Sequence, residues 1–128
     1  MAEALVHALT KKGVQQSNNI VVFDVNADRL KHLNSKFNIV KGSSIQSVFD
    51  ECDVVFLAVK PQHVGHVADQ LRSPPKGLIL SIVAGCTIKN LTEKFRTSNV
   101  IRSMPNTPSM VLEGMTVWTA TPSTSPQM

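Results

Sequence analysis

Tyrosine is missing from these 128 residues, and aromatics together make up only 5% of them. A nucleic-acid footprint combines clustered basic residues with interleaved stacking aromatics. Here the lysines and arginines are scattered, so nucleic-acid binding is not expected. Long apolar runs are also missing. The longest fall far short of the roughly eighteen residues a membrane span needs, so no membrane partner is expected. Glu3 and His7 interrupt any apolar leader at the start. Cysteine is scarce. Cys52 and Cys86 are not in C-x-x-C spacing, and neither sits beside a histidine. They read as reduced thiols near buried strands, compatible with a reducing compartment. A metal site is not expected either: His63 and His66 share a helix face, but no carboxylate cluster accompanies them. The phosphate-binding pattern G-x-G-x-x-G is absent as well.

What is present fits one folded domain. Hydrophobic residues are 42% and charged residues 17%, which argues against disorder. A chain of 128 residues can bury a core of its own. The net charge of +4 and pI near 9.3 suit a small phosphate-bearing ligand better than a polymer. Helical and strand periods alternate. Ala2, Leu5, Val6 and Leu9 predict a helix that Gly13 can end. Ile20 to Phe23 reads as a buried strand. Asn26 or Asp28 can cap a helix carrying Leu30 and Leu33. Ile39 and Val40 make a short strand, and Ser44 caps a helix with Ile45, Val48 and Phe49. Val54 to Val59 is predicted as a strand buried on both faces, followed by a helix through Val64, Val67 and Leu71. Pro74, Pro75 and Gly77 turn into strand Leu78 to Val83. Thr87 caps a helix with Ile88, Leu91 and Phe95. Strands Val100 to Met104 and Met115 to Ala120 follow. Apolar strands separated by helices predict an α/β, doubly wound, mostly parallel sheet. Thr121 to Met128 has almost no apolar anchor and is expected to be loose.

Three strand ends carry the chemistry, since open α/β sheets bind ligands at the carboxyl edge. Val59-Lys60-Pro61 turns sharply after one strand. Lys60 can contact phosphate or simply be a solvated loop residue. Val83-Ala84-Gly85 ends the next; its small residues admit a ligand against backbone, or make a tight turn into a helix. Asn106 and Thr107 stand between two prolines, as rigidly placed polar groups or as an Asx-type turn. Asp24, after an earlier strand, can accept ribose hydroxyls or favour a helix start. No acid or base of obvious identity appears.

The segments A-V-K-P-Q at Ala58 to Gln62, S-I-V-A-G-C-T at Ser81 to Thr87 and R-S-M-P-N-T-P at Arg102 to Pro108 together resemble the nucleotide-binding half of pyrroline-5-carboxylate reductase. The conjunction is expected to distinguish this family from generic dinucleotide folds, including the coenzyme F420-dependent oxidoreductases that share its superfamily. The resemblance implies a Rossmann-like domain over residues 1–120 and a tail over 121–128. It also implies that the first strand and its Gly-rich loop are missing, with Met1 to Leu5 matching the start of the following helix. A helical dimerisation domain is expected beyond Ala120 in a longer parent, itself a homo-oligomer. By the same resemblance, NAD(P)H is the cofactor. Asp24, Ser44, Ala58, Val59, Lys60, Pro61, Ile82, Val83 and Ala84 would border it, while Asn106 and Thr107 face a small imino-acid substrate. Asp24 tilts the choice toward NADH, and Arg29 keeps NADPH open. The implied reaction is reduction of 1-pyrroline-5-carboxylate to L-proline. The chain alone is expected to be inactive, and the alternative is a non-catalytic nucleotide-binding or interaction fragment. A generic sugar-nucleotide or hydroxy-acid dehydrogenase would need a catalytic Lys or His motif that is not found. A cytoplasmic location is expected, a mitochondrial one being the alternative.

Overall fold

The computed structural model describes residues 1–124. Helix α1 spans Ala2–Lys11. Strand β1 is Val21–Val22, helix α2 Ala27–Phe37 and strand β2 Val40–Lys41. Helix α3, Ile45–Glu51, leads to strand β3, Val54–Leu57. A 3₁₀ turn at Pro61–His63 opens helix α4, Val64–Asp69. Strand β4 is Leu78–Ser81 and helix α5 Ile88–Phe95. Strand β5, Val100–Pro105, a 3₁₀ segment at Thr107–Val111 and strand β6, Thr116–Ala120, close the order.

Local chemistry sets the helix starts. The Arg29 N–H donates to the Asn26 side chain at 3.1 Å, so Asn26 rather than Asp28 caps α2. Ser44 and Ser47 form a reciprocal capping box at α3. The Asn90 N–H donates to the Thr87 hydroxyl at 3.2 Å, capping α5.

The sheet is in two pieces. β1 and β2 pair in parallel, with Val21 opposite Val40. β3, β4 and β5 also pair in parallel, and β6 adds antiparallel to β5. The larger sheet runs β3-β4-β5-β6, and among the described residues no strand joins β1 to β3. This is an α/β, mostly parallel, Rossmann-like architecture whose described strands form two separate sheets. Within β5, the Thr121 N–H donates to the Val100 carbonyl at 3.0 Å and the Asn106 N–H to the Met115 carbonyl at 3.2 Å. Bonded pairs alternate along an antiparallel ladder. Pro105 opposite Thr116 is therefore a non-bonded pair, and its missing N–H leaves that ladder intact.

Helices α3, α4 and α5 cover one face of the larger sheet. Phe49, Val64, Val67, Leu91 and Phe95 pack there on Val55, Leu57, Ile79 and Val100. Phe49 stacks on Phe95 with ring centroids 5.9 Å apart. Gly77 lets β4 start against β3, because a Cβ there would overlap the Asp53 carbonyl oxygen. A smaller core joins Val6 of α1 and Leu33 of α2 to Ile39, with Val22 against it.

The expectation that the strand from Val54 is buried on both faces is not met. Val55 and Leu57 are buried, whereas Val54 is 42% exposed and Phe56 half-buried. The strand also ends at Leu57 rather than Val59. Phe56, Leu80, Ile82, Ile101 and Trp118 line an open cavity of about 480 Å³ on the second face. The reason is coverage: a parallel sheet needs helices on both faces, and of the helical residues only Leu5 borders this one. The segment after Ala120 is tied down at its start. The Thr121 and Ser123 hydroxyls both donate to the Ser98 carbonyl, and Thr121 is buried. The remainder of the tail expected to be loose, residues 125–128, lies outside the described residues.

Candidate functional site

Leu57, Ser81 and Arg102 stand side by side in the parallel register. The carboxyl ends of β3, β4 and β5 therefore open on one edge, and three loops leave it.

The first loop follows Leu57. Ala58 and Val59 are half-buried and Lys60 and Pro61 are exposed. Lys60 is extended, with φ −68 and ψ 149, as the residue before a proline must be. Pro61 then opens the 3₁₀ turn, which the His63 N–H closes on the Lys60 carbonyl at 2.9 Å. The second loop follows Ser81, which is fully buried and accepts the Val83 N–H on its hydroxyl at 3.2 Å. Ile82 is half-buried, Val83 buried and Ala84 exposed. Gly85 sits at φ 69 with no atom within 4 Å of where a Cβ would stand. Its backbone conformation, and not crowding, calls for glycine.

The third loop follows β5. Asn106 and Thr107 are both exposed. Asn106 is a clasp: its Oδ1 accepts the Met115 N–H at 2.9 Å, while its own N–H donates to the Met115 carbonyl. Its carbonyl accepts the Ser109 N–H at 3.0 Å. Leu112 takes a left-handed φ of 64, and Gly114 packs so closely that a Cβ would overlap Ser109. The partner lies nine residues on, so this is a loop clasp and not the local Asx turn. The Oδ1 is engaged within the loop, leaving Nδ2 as the side chain's remaining donor.

Asp24 follows β1 and is half-buried. Its Oδ1 accepts the Asn26 N–H at 2.8 Å, and its Oδ2 lies 3.7 Å from the Arg29 guanidinium. Ser44 uses its hydroxyl in the α3 capping box. Besides the open sheet face, a cavity of about 260 Å³ lies between α1 and the 107–112 loop, lined by Ala4, Pro105 and Leu112. Of the expected site residues only Ile82 borders either cavity; Lys60, Ala84 and Asn106 stand at the edge and line neither of these two. At the end of α3, burial, and then the charges of Glu51 and Asp53, push the Cys52 thiol up, away from a reactive thiolate. Among the described residues no group of three or more His, Cys, Asp or Glu is placed to hold a metal ion, and no helix is long and apolar enough to cross a membrane.

A family model described as NADP oxidoreductase, coenzyme F420-dependent, matches residues 1–85. The chain belongs to that family. Among curated relatives, the pyrroline-5-carboxylate reductase of Pasteurella multocida is 36% identical over 121 residues, covering 90% of this chain and 44% of the relative. The enzyme of the same name from Escherichia coli is 33% identical over 119 residues, covering 91% and 44%. A solved pyrroline-5-carboxylate reductase from Coxiella burnetii superposes with a TM-score of 0.86 at 28% identity, covering 98% of this chain and 48% of that one. The chain thus spans about half the length of the proteins it matches.

The match agrees with the expected kinship to the F420-dependent oxidoreductases, and the named relatives with the expected resemblance to pyrroline-5-carboxylate reductase. The family match ends at Gly85, so it takes in Ala58 to Gln62 and most of Ser81 to Thr87 but stops short of Arg102 to Pro108. An alignment over 90% of the chain reaches that third segment.

Two residues of the edge were passed over in the sequence. Ser81 holds the second loop from below through Val83. Arg102 buries its Nε without a partner among the described residues. The available signal was a polar residue inside each of two apolar strands.

Proposed function

We propose that this chain is the nucleotide-binding half of a pyrroline-5-carboxylate reductase. The whole enzyme would move hydride from NAD(P)H to the C=N carbon of 1-pyrroline-5-carboxylate, giving L-proline. Kinship carries the reading: 36% identity over 90% of the chain to a reductase of that name, with the same fold over 98% of the chain in another.

The edge fits a dinucleotide in part. Exposed backbone at Ala84 and Gly85, beside the Val59-Lys60-Pro61 corner, leaves room for a flat ligand. Ala58, Val59, Lys60, Pro61, Ile82, Val83 and Ala84 would border the nicotinamide half, Asp24 the adenosine ribose and Ser44 the adenine side. When bound, the nicotinamide supplies the hydride. Asn106 and Thr107 would stand on the substrate side, with Asn106 acting through Nδ2. The Asp24 carboxylate favours ribose hydroxyls, while Arg29, 69% exposed beside it, offers a cation to a 2′-phosphate. Both nicotinamide cofactors therefore remain usable. In this reading residues 1–120 form the nucleotide-binding domain of a longer, cytoplasmic homo-oligomer whose helical domain completes the substrate pocket.

A second reading, a silent nucleotide-binding or interaction module, draws support from the 44% coverage and from the divided sheet. The test grafts residues 1–120 into the Escherichia coli relative, in place of the matching segment and behind that enzyme's own first strand. Growth of a proline auxotroph and substrate-dependent NADPH oxidation by the purified chimera are expected. A folded chimera that binds NADPH yet reduces nothing would overturn the reductase reading. The chain alone is expected to show no turnover.

A further inference from the structure

In a parallel ladder the main-chain groups of an inner strand turn alternately to its two neighbours. β4 keeps that alternation. The Leu78 N–H donates toward β3, to the Asp53 carbonyl at 2.8 Å, and the Ile79 N–H toward β5, to the Asn99 carbonyl at 3.0 Å. The Ile82 N–H returns to the β3 side and donates to the Leu57 carbonyl at 3.1 Å. Val83 comes next, and its N–H is due on the β5 side. With Ser81 opposite Arg102, the register sets the Ser103 carbonyl as its acceptor.

That bond is not made. The Val83 N–H donates instead to the Ser81 hydroxyl at 3.2 Å, and the pairing of β4 with β5 ends at Ser81 and Arg102. The side chain takes the donor that would have extended the ladder. Its surroundings are apolar. Ser81 is fully buried, on the face where Leu57, Ile79, Val83 and Val100 form the core. An apolar side chain would suit that place better, since a buried hydroxyl is costly unless it is bonded. The bond it makes sets the course of the second loop. Val83 and Cys86 anchor that loop in the core, while Ala84 and Gly85 stay exposed.

We propose that Ser81 is a positioning residue for the cofactor. By taking the Val83 N–H, it parts the second loop from β5 and from the third loop that follows β5. Ile82, Val83 and Ala84 are thereby presented to the nicotinamide half. Ser81 acts through Val83 and not by contact with the ligand. Without the hydroxyl, the Val83 N–H is released to the Ser103 carbonyl and the two loops close on each other. The inference rests on the reductase reading.

The test compares Ser81→Ala, Ser81→Cys and Ser81→Thr with the unsubstituted chimera that carries residues 1–120. Alanine removes the acceptor. Cysteine fills the same space with a weak acceptor, which keeps the comparison open where the alanine variant does not fold. Threonine retains the hydroxyl. NADPH binding is read by fluorescence titration, turnover by NADPH oxidation and stability by urea unfolding. In the alanine and cysteine variants, Kd and KM for NADPH should rise roughly threefold to tenfold, the effect of one hydrogen bond. KM for 1-pyrroline-5-carboxylate should stay within about twofold. Ser81→Thr should keep the parental KM for NADPH, even where its added methyl lowers the urea midpoint. A serine with a merely structural role would shift urea midpoints and leave Kd for NADPH unchanged in every folded variant; that result overturns the proposal. A threonine variant that binds NADPH as poorly as the alanine variant overturns it as well. Because binding is read directly, a chimera that binds NADPH but reduces nothing overturns the reductase reading and still tests Ser81. An unsubstituted chimera that binds no NADPH overturns both.

Discussion

Asn106→Ala deletes an acceptor that joins two ends of a loop nine residues apart, together with the Nδ2 donor that the loop leaves unused. The two main-chain bonds of the loop, Asn106 N–H to the Met115 carbonyl and Ser109 N–H to the Asn106 carbonyl, stay in place. Only the 2.9 Å bond from the Met115 N–H to Oδ1 is lost. A hydrogen bond between uncharged groups is worth about 0.5–1.5 kcal/mol net. Met115 is 71% exposed, so water can replace the lost partner. The lower part of that range applies, roughly 0.5–1 kcal/mol. Asn106→Asp keeps an acceptor at the same place and should remain within a few tenths of a kcal/mol of the parent. The assay is urea unfolding with the m-value checked for constancy, together with amide exchange at Met115. Exchange at Met115 should quicken in Asn106→Ala and not in Asn106→Asp. In the grafted chimera, kcat/KM should fall roughly threefold to tenfold, the worth of one substrate hydrogen bond of about 0.5–1.5 kcal/mol, because the substitution also removes the Nδ2 donor that the loop leaves unused. Unchanged stability and unchanged Met115 exchange in Asn106→Ala would refute the clasp, as would two variants that behave alike.

Gly77→Ala should destabilise by about 1–3 kcal/mol or more, since the new Cβ meets the Asp53 main chain where β3 and β4 pair, and urea midpoints will show it. Arg102→Met should leave stability unchanged or raised, because it removes a buried guanidinium nitrogen that has no partner among the described residues; a marked loss in the same assay would reveal a hidden one. Glu3 links α1 to α2 through Lys36 at 2.7 Å, and that bond, aided by His32 and opposed by slight burial, holds its carboxyl below the ordinary range. A depressed carboxyl stabilises the fold above its unfolded pKa, and this contribution is lost as pH falls through the folded value. Glu3→Gln should flatten that acid limb, by a small amount given the exposure of both side chains, and matched melting curves at neutral and acid pH will measure it.

The alternation of helix and strand was legible because its signals are local. Asn26, Ser44 and Thr87 are short polar residues placed before apolar helical periods, and each accepts the backbone N–H that its position requires. The carboxyl edge was legible for the same reason: Pro61 and Gly85 dictate turns through their own backbone limits. The role of Asn106 was not. Its partner lies nine residues away, across a loop whose path depends on the left-handed Leu112 and the tight Gly114 contact, and neither spacing nor residue type announces that closure.

Burial on both faces failed for a different reason. In β3, β4 and β5 the inward residues Val55, Ile79 and Val100 are chemically alike to the outward Phe56, Leu80 and Ile101. An apolar strand records that both of its faces are suited to cover. It does not record whether cover is present. Here α3, α4 and α5 bury the first set, and on the second face only Leu5 among the helical residues borders the open cavity. The same asymmetry explains why the open apolar cavity and the carboxyl edge are different places. The cavity follows from which helices reach the sheet, the edge from the direction of its strands, and a ligand reading must be argued from the second.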